Sequence, residues 1–293
     1  MRRAGARVAR VVAALLALAS SLSWGVSDFL GGVQSRRNAL LAVLVLSQGI
    51  ALLLLVGAVA VGAPTEHDTT ATLLAAGSGT FGMLALAAFY HALTIGTMSV
   101  VAPISATGTA IPVLVGLLSG EEPSTVQIGG ILLAGAGVVL AARAAPSADA
   151  DGAAVDNRKA IGLALFAAVG FGTFFAAIDR AEESADVAWV LLSARSADVA
   201  VLLVACAMLR PPLPRDLGSL WLIGAIGVLD LLANLLFVLA ASRGLLSVVG
   251  VLGSLYPVVT VILARVVLDE RLSRAQARGV LITLMGVVAL AAG

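Results

Sequence analysis

Residues 89–101, FYHALTIGTMSVV, and residues 237–249, FVLAASRGLLSVV, decide the reading of this chain. Sliding the sequence on itself by 148 residues places Phe89, Ala92, Gly96, Ser99, Val100 and Val101 on Phe237, Ala240, Gly244, Ser247, Val248 and Val249. An offset of 149 then places Glu121, Ser124, Gln127, Gly130, Gly137, Val138 and Val139 on Glu270, Ser273, Gln276, Gly279, Gly286, Val287 and Val288. Upstream, an offset of 147 puts Leu16, Ala17, Leu18 and Gly25 on Leu163, Ala164, Leu165 and Gly172. Alanine, leucine and valine coincide easily in an apolar sequence. Glutamate, glutamine, serine and glycine in fixed order do not, so the chain is two tandem copies of one unit.

The unit is made of membrane spans. Of 293 residues, 60% are hydrophobic and 12% charged, against roughly a quarter charged in a soluble domain. The polar residues cluster between apolar runs instead of alternating with them, so the surface faces lipid. Backbone in hydrocarbon must satisfy its own hydrogen bonds, and runs of about 20 apolar residues do so as helices. Ten are expected, over residues 8–30, 39–62, 72–93, 99–118, 126–145, 160–178, 187–209, 217–241, 246–268 and 275–293. The fold class is thus an all-α membrane protein of ten transmembrane helices. Residues 1–145 form the first five-helix repeat, 146–159 a polar linker and 160–293 the second repeat. Five is odd, so the second copy enters the bilayer from the opposite side. Inverted repeats of this kind build secondary transporters, which close alternately around a midplane site.

Other classes lack their signals. The net charge is +1, with 18 scattered basic residues, which offers no track for a nucleic-acid backbone. The single cysteine, Cys206, forms no internal disulfide, and no histidine–cysteine cluster has metal-ligand spacing. Neither H-E-x-x-H nor G-x-S-x-G occurs, so no enzyme, metal or cofactor is expected. Gly77, Gly79 and Gly82 match G-x-G-x-x-G but lack the strand and helix that make it a dinucleotide site; small residues at that spacing let membrane helices approach. Arg2, Arg3, Arg7 and Arg10 before an apolar run ending in Ala17-Leu18-Ala19-Ser20 imitate a cleavable signal. The run continues through Trp24 and Phe29, and the repeat requires it as a retained span.

Several features now converge on a known family. Aromatic-glycine pairs mark the first span of each half (Trp24-Gly25, Phe171-Gly172), and Arg195 stands early in span seven. Tyr256-Pro257 precedes Asp269-Glu270-Arg271-Leu272 and Gln276, with Gly279 and Gly286 in the last span. In these the chain resembles the drug/metabolite transporter superfamily, in its ten-helix EamA-type branch, over nearly its whole length. The first half departs from the pattern, with Ser47 at the expected counterpart of Arg195 and Gly108 opposite Pro257. The resemblance implies movement of amino acids, other metabolites or drug-like compounds, usually outward, through a cavity between the halves.

Charges inside spans cost several kcal/mol and call for a partner or a purpose, about 3 kcal/mol each at the centre on insertion scales. Arg195 and Asp198, three apart, share a face as a structural ion pair or a gating and substrate pair. Asp230 with Asn234 one turn on can take up a proton, or simply bond Asn234 or Arg195. Asp28 is a wet helix-end charge or a lip of the pathway, and His91 an interfacial histidine. The substrate cavity is assigned to Trp24, Phe89, Tyr90, Phe171, Phe174, Arg195, Asp230, Asn234, Phe237 and Tyr256, each aromatic having packing as its alternative. Pro103, Pro112, Gly253 and Pro257 are assigned to kinks and gating, with span nine, which also holds Gly250, as the moving element.

The expected partners are a small-molecule substrate and membrane lipid, with no nucleic acid, in a monomer or homodimer. The expected site is the bacterial-type plasma membrane. The four leading arginines and the family resemblance imply cytoplasmic termini, although more basic residues outside the spans fall on the other side. The alternative to transport is a membrane scaffold or a small-molecule sensor.

Overall fold

The computed structural model describes residues 2–62, 65–111, 114–115, 124–143, 157–241 and 252–292. Outside them lie Pro112, the turn at residues 120–123, linker residues 146–156, the hairpin at 242–245, and residues 246–250 of span nine with Gly250. Among the described residues the secondary structure is helical, with no strand. The helices are α1 (Arg2–Arg37), α2 (Leu40–Ala60), α3 (Thr69–Ile95), α4 (Met98–Ser105), α5 (Thr125–Arg143), α6 (Asn157–Glu182), α7 (Val187–Leu209), α8 (Leu217–Ala241), α9 (Tyr256–Val267) and α10 (Arg274–Ala292). Among the described residues six are long and apolar enough to cross a membrane: α1, α2 and α3 of the first half and α6, α7 and α8 of the second. The stretches containing α4, α5 and α9 are shorter and apolar. Leu53, Leu73, Leu132, Leu203 and Leu281 stand largely exposed on the outside of the bundle, where lipid meets them without penalty.

Helix packing follows the repeat. α1 lies on α8 as α6 lies on α3; α2 lies on α8 as α7 lies on α3; α1 lies on α9 as α6 lies on α4. Of the remaining strong pairs, α2 with α7 and α5 with α10 join equivalent helices of the two halves, and α4 with α9 joins different segments of equivalent spans. The halves are therefore interleaved and share one interior. Glycines set the closest approaches. A Cβ on Gly25 would meet the main-chain oxygen of Tyr256 and the side chain of Val259, and one on Gly172 would meet that of Gly108 and the side chain of Ile111. Likewise a Cβ on Gly79 would collide with the carbonyl of Ala194 and one on Gly227 with that of Ser47. Gly79, from the false dinucleotide motif, is thus a helix-contact residue. The repeat extends to the caps: Ser124 and Gln127 bond each other's main-chain N–H groups at the start of α5, and Ser273 and Gln276 do so at the start of α10. Each pair is a reciprocal capping box.

These contacts correct the register in two places. Ser47 answers Ala194, so the 147 offset persists through the second span and Gln48, rather than Ser47, is the counterpart of Arg195. Gly108 answers Tyr256 rather than Pro257. Span boundaries shift as well. α1 continues past residue 30 to Arg37, because Gln34 and Ser35 are buried against neighbouring helices instead of ending the helix in water. Past Pro103, α4 gives way to a 3₁₀ turn, Ala106–Thr109. Pro257 occupies the first turn of α9, after a break at residues 254–255, where its missing N–H costs nothing. Gly253 lies before that break, against the ring of Phe237.

At one end of the bundle Glu270 joins three helices. Its buried carboxylate accepts from the N–H groups of Met98 and Ser99, each at 2.9 Å, and from the Ser99 hydroxyl at 2.8 Å, capping α4. Arg36 stands 3.7 Å away and donates to the carbonyls of Leu93 and Gly96 at the close of α3. At the other end Asp68 caps α3 through the N–H groups of Thr70 and Ala71, while Asp186 accepts from the Glu66 N–H at 2.7 Å.

Candidate functional site

The interior polar site is assembled from six helices. Arg195 is the ninth residue of the 23 in α7, and Asp230 the fourteenth of the 25 in α8, so both lie well inside their helices. α2 packs on α7 and on α8 and brings Gln48 to the same place. The Arg195 guanidinium donates to Asp230 Oδ2 at 2.9 Å and to Gln48 Oε1, and Nη1 lies 3.7 Å from Asp198 Oδ2. Gln48 and Arg195 are equivalent positions of the two repeats, so this bond ties the halves together where their related helices face each other. Asp198 is buried, and its second oxygen, Oδ1, has no hydrogen-bond partner.

Asp28 and Tyr90 of the first half and Tyr256 of the second complete the cluster. Asp28 on α1 lies near enough to Asp230 to repel it, and near Tyr90 on α3 and Tyr256 on α9. Asp28 is therefore an interior group, not a helix-end charge, because α1 runs on beyond it. Ser27 beside it donates to the Ile226 carbonyl at 3.1 Å and bonds Tyr90, and Ser20 donates to the Ala233 carbonyl at 2.7 Å, stapling α1 to α8. Interhelical bonds of this type contribute about 1 kcal/mol each in membranes. Asn234 turns its amide to the Asp230 main-chain carbonyl at 2.8 Å, leaving the Asp230 carboxylate to Arg195.

The aromatic residues fall into two groups that mirror each other. Trp24 stands against Phe237 with ring centroids 5.8 Å apart, and Phe171 against Phe89 at 5.7 Å. These are equivalent pairs, α1 with α8 and α6 with α3. Around Trp24 gather Tyr256 at 6.2 Å and Phe175 at 6.5 Å, and Phe174 touches Phe175 at 5.4 Å. Around Phe89 lies Tyr90 at 6.0 Å; both are fully buried. Trp24, Phe237 and Tyr256 thus come together, while Phe89, Tyr90 and Phe171 form a separate, tighter group. His91 stays near the end of α3, its ring 3.3 Å from the Thr94 hydroxyl.

Gln48 and Phe175 are not among the site residues expected from sequence, and Asp28 is read there as a helix-end charge or a lip of the pathway. Carrying the 147 offset one span further would have found Gln48. Among the described residues no three histidine, cysteine or carboxylate side chains are grouped to hold a metal ion.

No curated protein matches the chain. One solved crystal structure of a protein aligns over 96% of this chain and 97% of its own, with a TM-score of 0.63 and 20% identity, a likeness of fold. The family model of the EamA-like transporter family matches twice, over residues 11–143 and 158–292, the two stretches in which the paired glycines, aromatic pairs and capping boxes recur. The chain is a multi-pass membrane protein of the EamA-like transporter family.

Proposed function

We propose that this protein is a secondary transporter that carries a small metabolite, an amino acid or related solute, or a drug-like compound across the plasma membrane, outward and coupled to protons. In this reading the chain has ten spans. Residues 1–145 and 160–293 are inverted five-helix repeats joined by the linker 146–159, and they open alternately to the two sides. One observation carries the reading: Arg195, Asp198, Asp230 and Gln48 meet inside the bundle, and their helices belong to both repeats. A charge cluster in a bundle of apolar helices is expensive to keep unless it handles something polar. A scaffold has no use for it. A rocking motion of the repeats would remake the Arg195 contacts, because Gln48 and Arg195 sit on opposite repeats.

The carboxylates also favour proton coupling. Asp198 and Asp230 share one guanidinium, and Asp28 lies near Asp230 with no cation of its own among the described residues, so in a low-dielectric interior the set calls for further cations. Protons entering from one side and leaving to the other are the simplest such cations.

Proteoliposomes loaded with a pH-sensitive dye test this. Addition of amino acids, nucleosides or amines in turn should move protons for at least one class, and Arg195→Gln should abolish the movement. Silence across all classes, with no labelled solute crossing, would sink the transporter reading.

A further inference from the structure

The groups that face the centre of the site are Asp28 from α1, Gln48 from α2, Tyr90 from α3, Arg195 and Asp198 from α7, Asp230 from α8 and Tyr256 from α9. The tyrosines and the glutamine are neutral donors or acceptors. With every carboxylate ionised the set carries three negative charges and one positive charge. Arg195 is already shared among Asp230, Asp198 and Gln48. Among the described residues no donor and no cation reaches Asp28. Asp198 Oδ1 is likewise buried without a donor. The site therefore has anionic capacity to spare at two separate carboxylates and no spare cation.

That imbalance discriminates among ligands. An anion, or the carboxylate end of a zwitterion, would need a guanidinium that two aspartates already hold, and would enter a field of like charge. A metal ion would need carboxylates converging on one point, and these are spread over three helices, with no such group among the described residues. A bulky organic cation needs no such convergence. Its apolar body also has a place: Trp24 is one turn before Asp28 on the same face of α1, with Phe237, Tyr256 and Phe175 around it. Aromatic faces attract a cation and shelter its apolar substituents.

Building on the transporter reading, we propose that the substrate class is a monovalent organic cation with an apolar body, bound by Asp28 beside Trp24 and exchanged there for a proton. Asp28 sets the charge selectivity, and the Arg195–Asp230 pair remains in place behind it. Proton and cation compete for one carboxylate, so each weakens the other's binding by the same factor.

Calorimetry on the full-length protein in lipid nanodiscs tests this with probes of one shape class and different charge: benzyltrimethylammonium, uncharged neopentylbenzene, phenylacetate and free phenylalanine. Benzyltrimethylammonium keeps its charge at every pH, so any pH dependence of its binding belongs to the protein. It should bind in preference to the other three and lose affinity on acidification, approaching about tenfold per pH unit where one proton is displaced. Asp28→Asn should weaken it about tenfold or more and abolish the pH dependence, while Asp28→Glu restores both. Because Asp28 has no partner to lose, Asp28→Asn should unfold no earlier than the parent, which separates lost binding from lost fold. Equal affinity in Asp28→Asn, preference for phenylacetate or phenylalanine, or no binding of the cation between pH 5 and 9 each overturns the proposal. Anion- or zwitterion-driven flux in proteoliposomes would overturn it and leave the transporter reading standing. Asp28-dependent cation binding without any solute flux would uphold the site and remove the transporter reading.

Discussion

Two buried carboxylate sites in this molecule are built on opposite principles. Glu270 is surrounded by donors: two main-chain N–H groups, the Ser99 hydroxyl and the guanidinium of Arg36. Around Arg195 the ratio is reversed: Asp198 and Asp230 share one cation, Asp28 beside Asp230 has none among the described residues, and an oxygen of Asp198 is left bare. A satisfied buried charge holds a structure together, whereas an unsatisfied one is unstable until something binds to it. The first belongs to the frame, fastening α1, α3 and α4 to the connection between α9 and α10 at one end of the bundle. The second is the proposed working site.

The contrast breaks most sharply at Glu270. Replacing it by Ala strands two N–H groups in a buried setting and takes the counter-charge from Arg36, and should lower the unfolding free energy in detergent by about 3 kcal/mol. Arg195→Gln should cost less, about 1–2 kcal/mol, because a glutamine amide can still donate to one of the acceptors that Arg195 serves. Its transport loss should be complete all the same. If Arg195→Gln proved the more destabilising of the two in thermal unfolding, the division into frame and working site would be wrong. Arg195→Lys should not rescue transport, since an ammonium cannot span Asp230 and Gln48 as a planar fork does.

The repeat supplies a matched pair of tests. Gly25→Ala and Gly172→Ala put a methyl against the main-chain oxygens of Tyr256 and Gly108. Each should cost about 1–3 kcal/mol through overpacking, by similar amounts, and a large difference between their unfolding midpoints would show that the two halves are not packed alike. The smallest effect lies at the surface. The main-chain N–H of Ala71, with Thr70, holds the Asp68 carboxyl below the usual carboxylate range. A depressed value means that the cap's contribution is fully present above the unfolded carboxylate's pKa, roughly 4, and fades as pH falls through the lower folded value. Unfolding midpoints of Asp68→Ala and the parent should therefore differ slightly at neutral pH and converge in strong acid.

Much of this was legible in the sequence for a physical reason. Glutamate, glutamine, serine and glycine in an apolar chain are placed by caps and close helix contacts, and such constraints survive when leucine and valine drift. The Ser-x-x-Gln caps and the glycines show it. Arg195 and Asp230 stood out because a charge within a span is conspicuous. Gln48 did not, being neutral and one residue from the register assumed for it. Asp28 was masked by Gly31, Gly32, Gln34 and Ser35, which look like a helix ending in water. Tertiary contacts keep them in the helix, with Gln34 and Ser35 buried, and only folding reveals that. The Glu270 clamp joins residues more than 170 apart in sequence, beyond the reach of any local pattern.

The account depends on the charged interior meeting water on each side of the membrane in turn. Asn234→Cys, one turn from Asp230 and partly buried, made in a Cys206→Ser background and reconstituted in one orientation, tests that directly with a membrane-impermeant thiol reagent applied to one face at a time. The expected result is labelling from either face in vesicles that hold an ion gradient. Labelling from one face alone, or from neither, would contradict it.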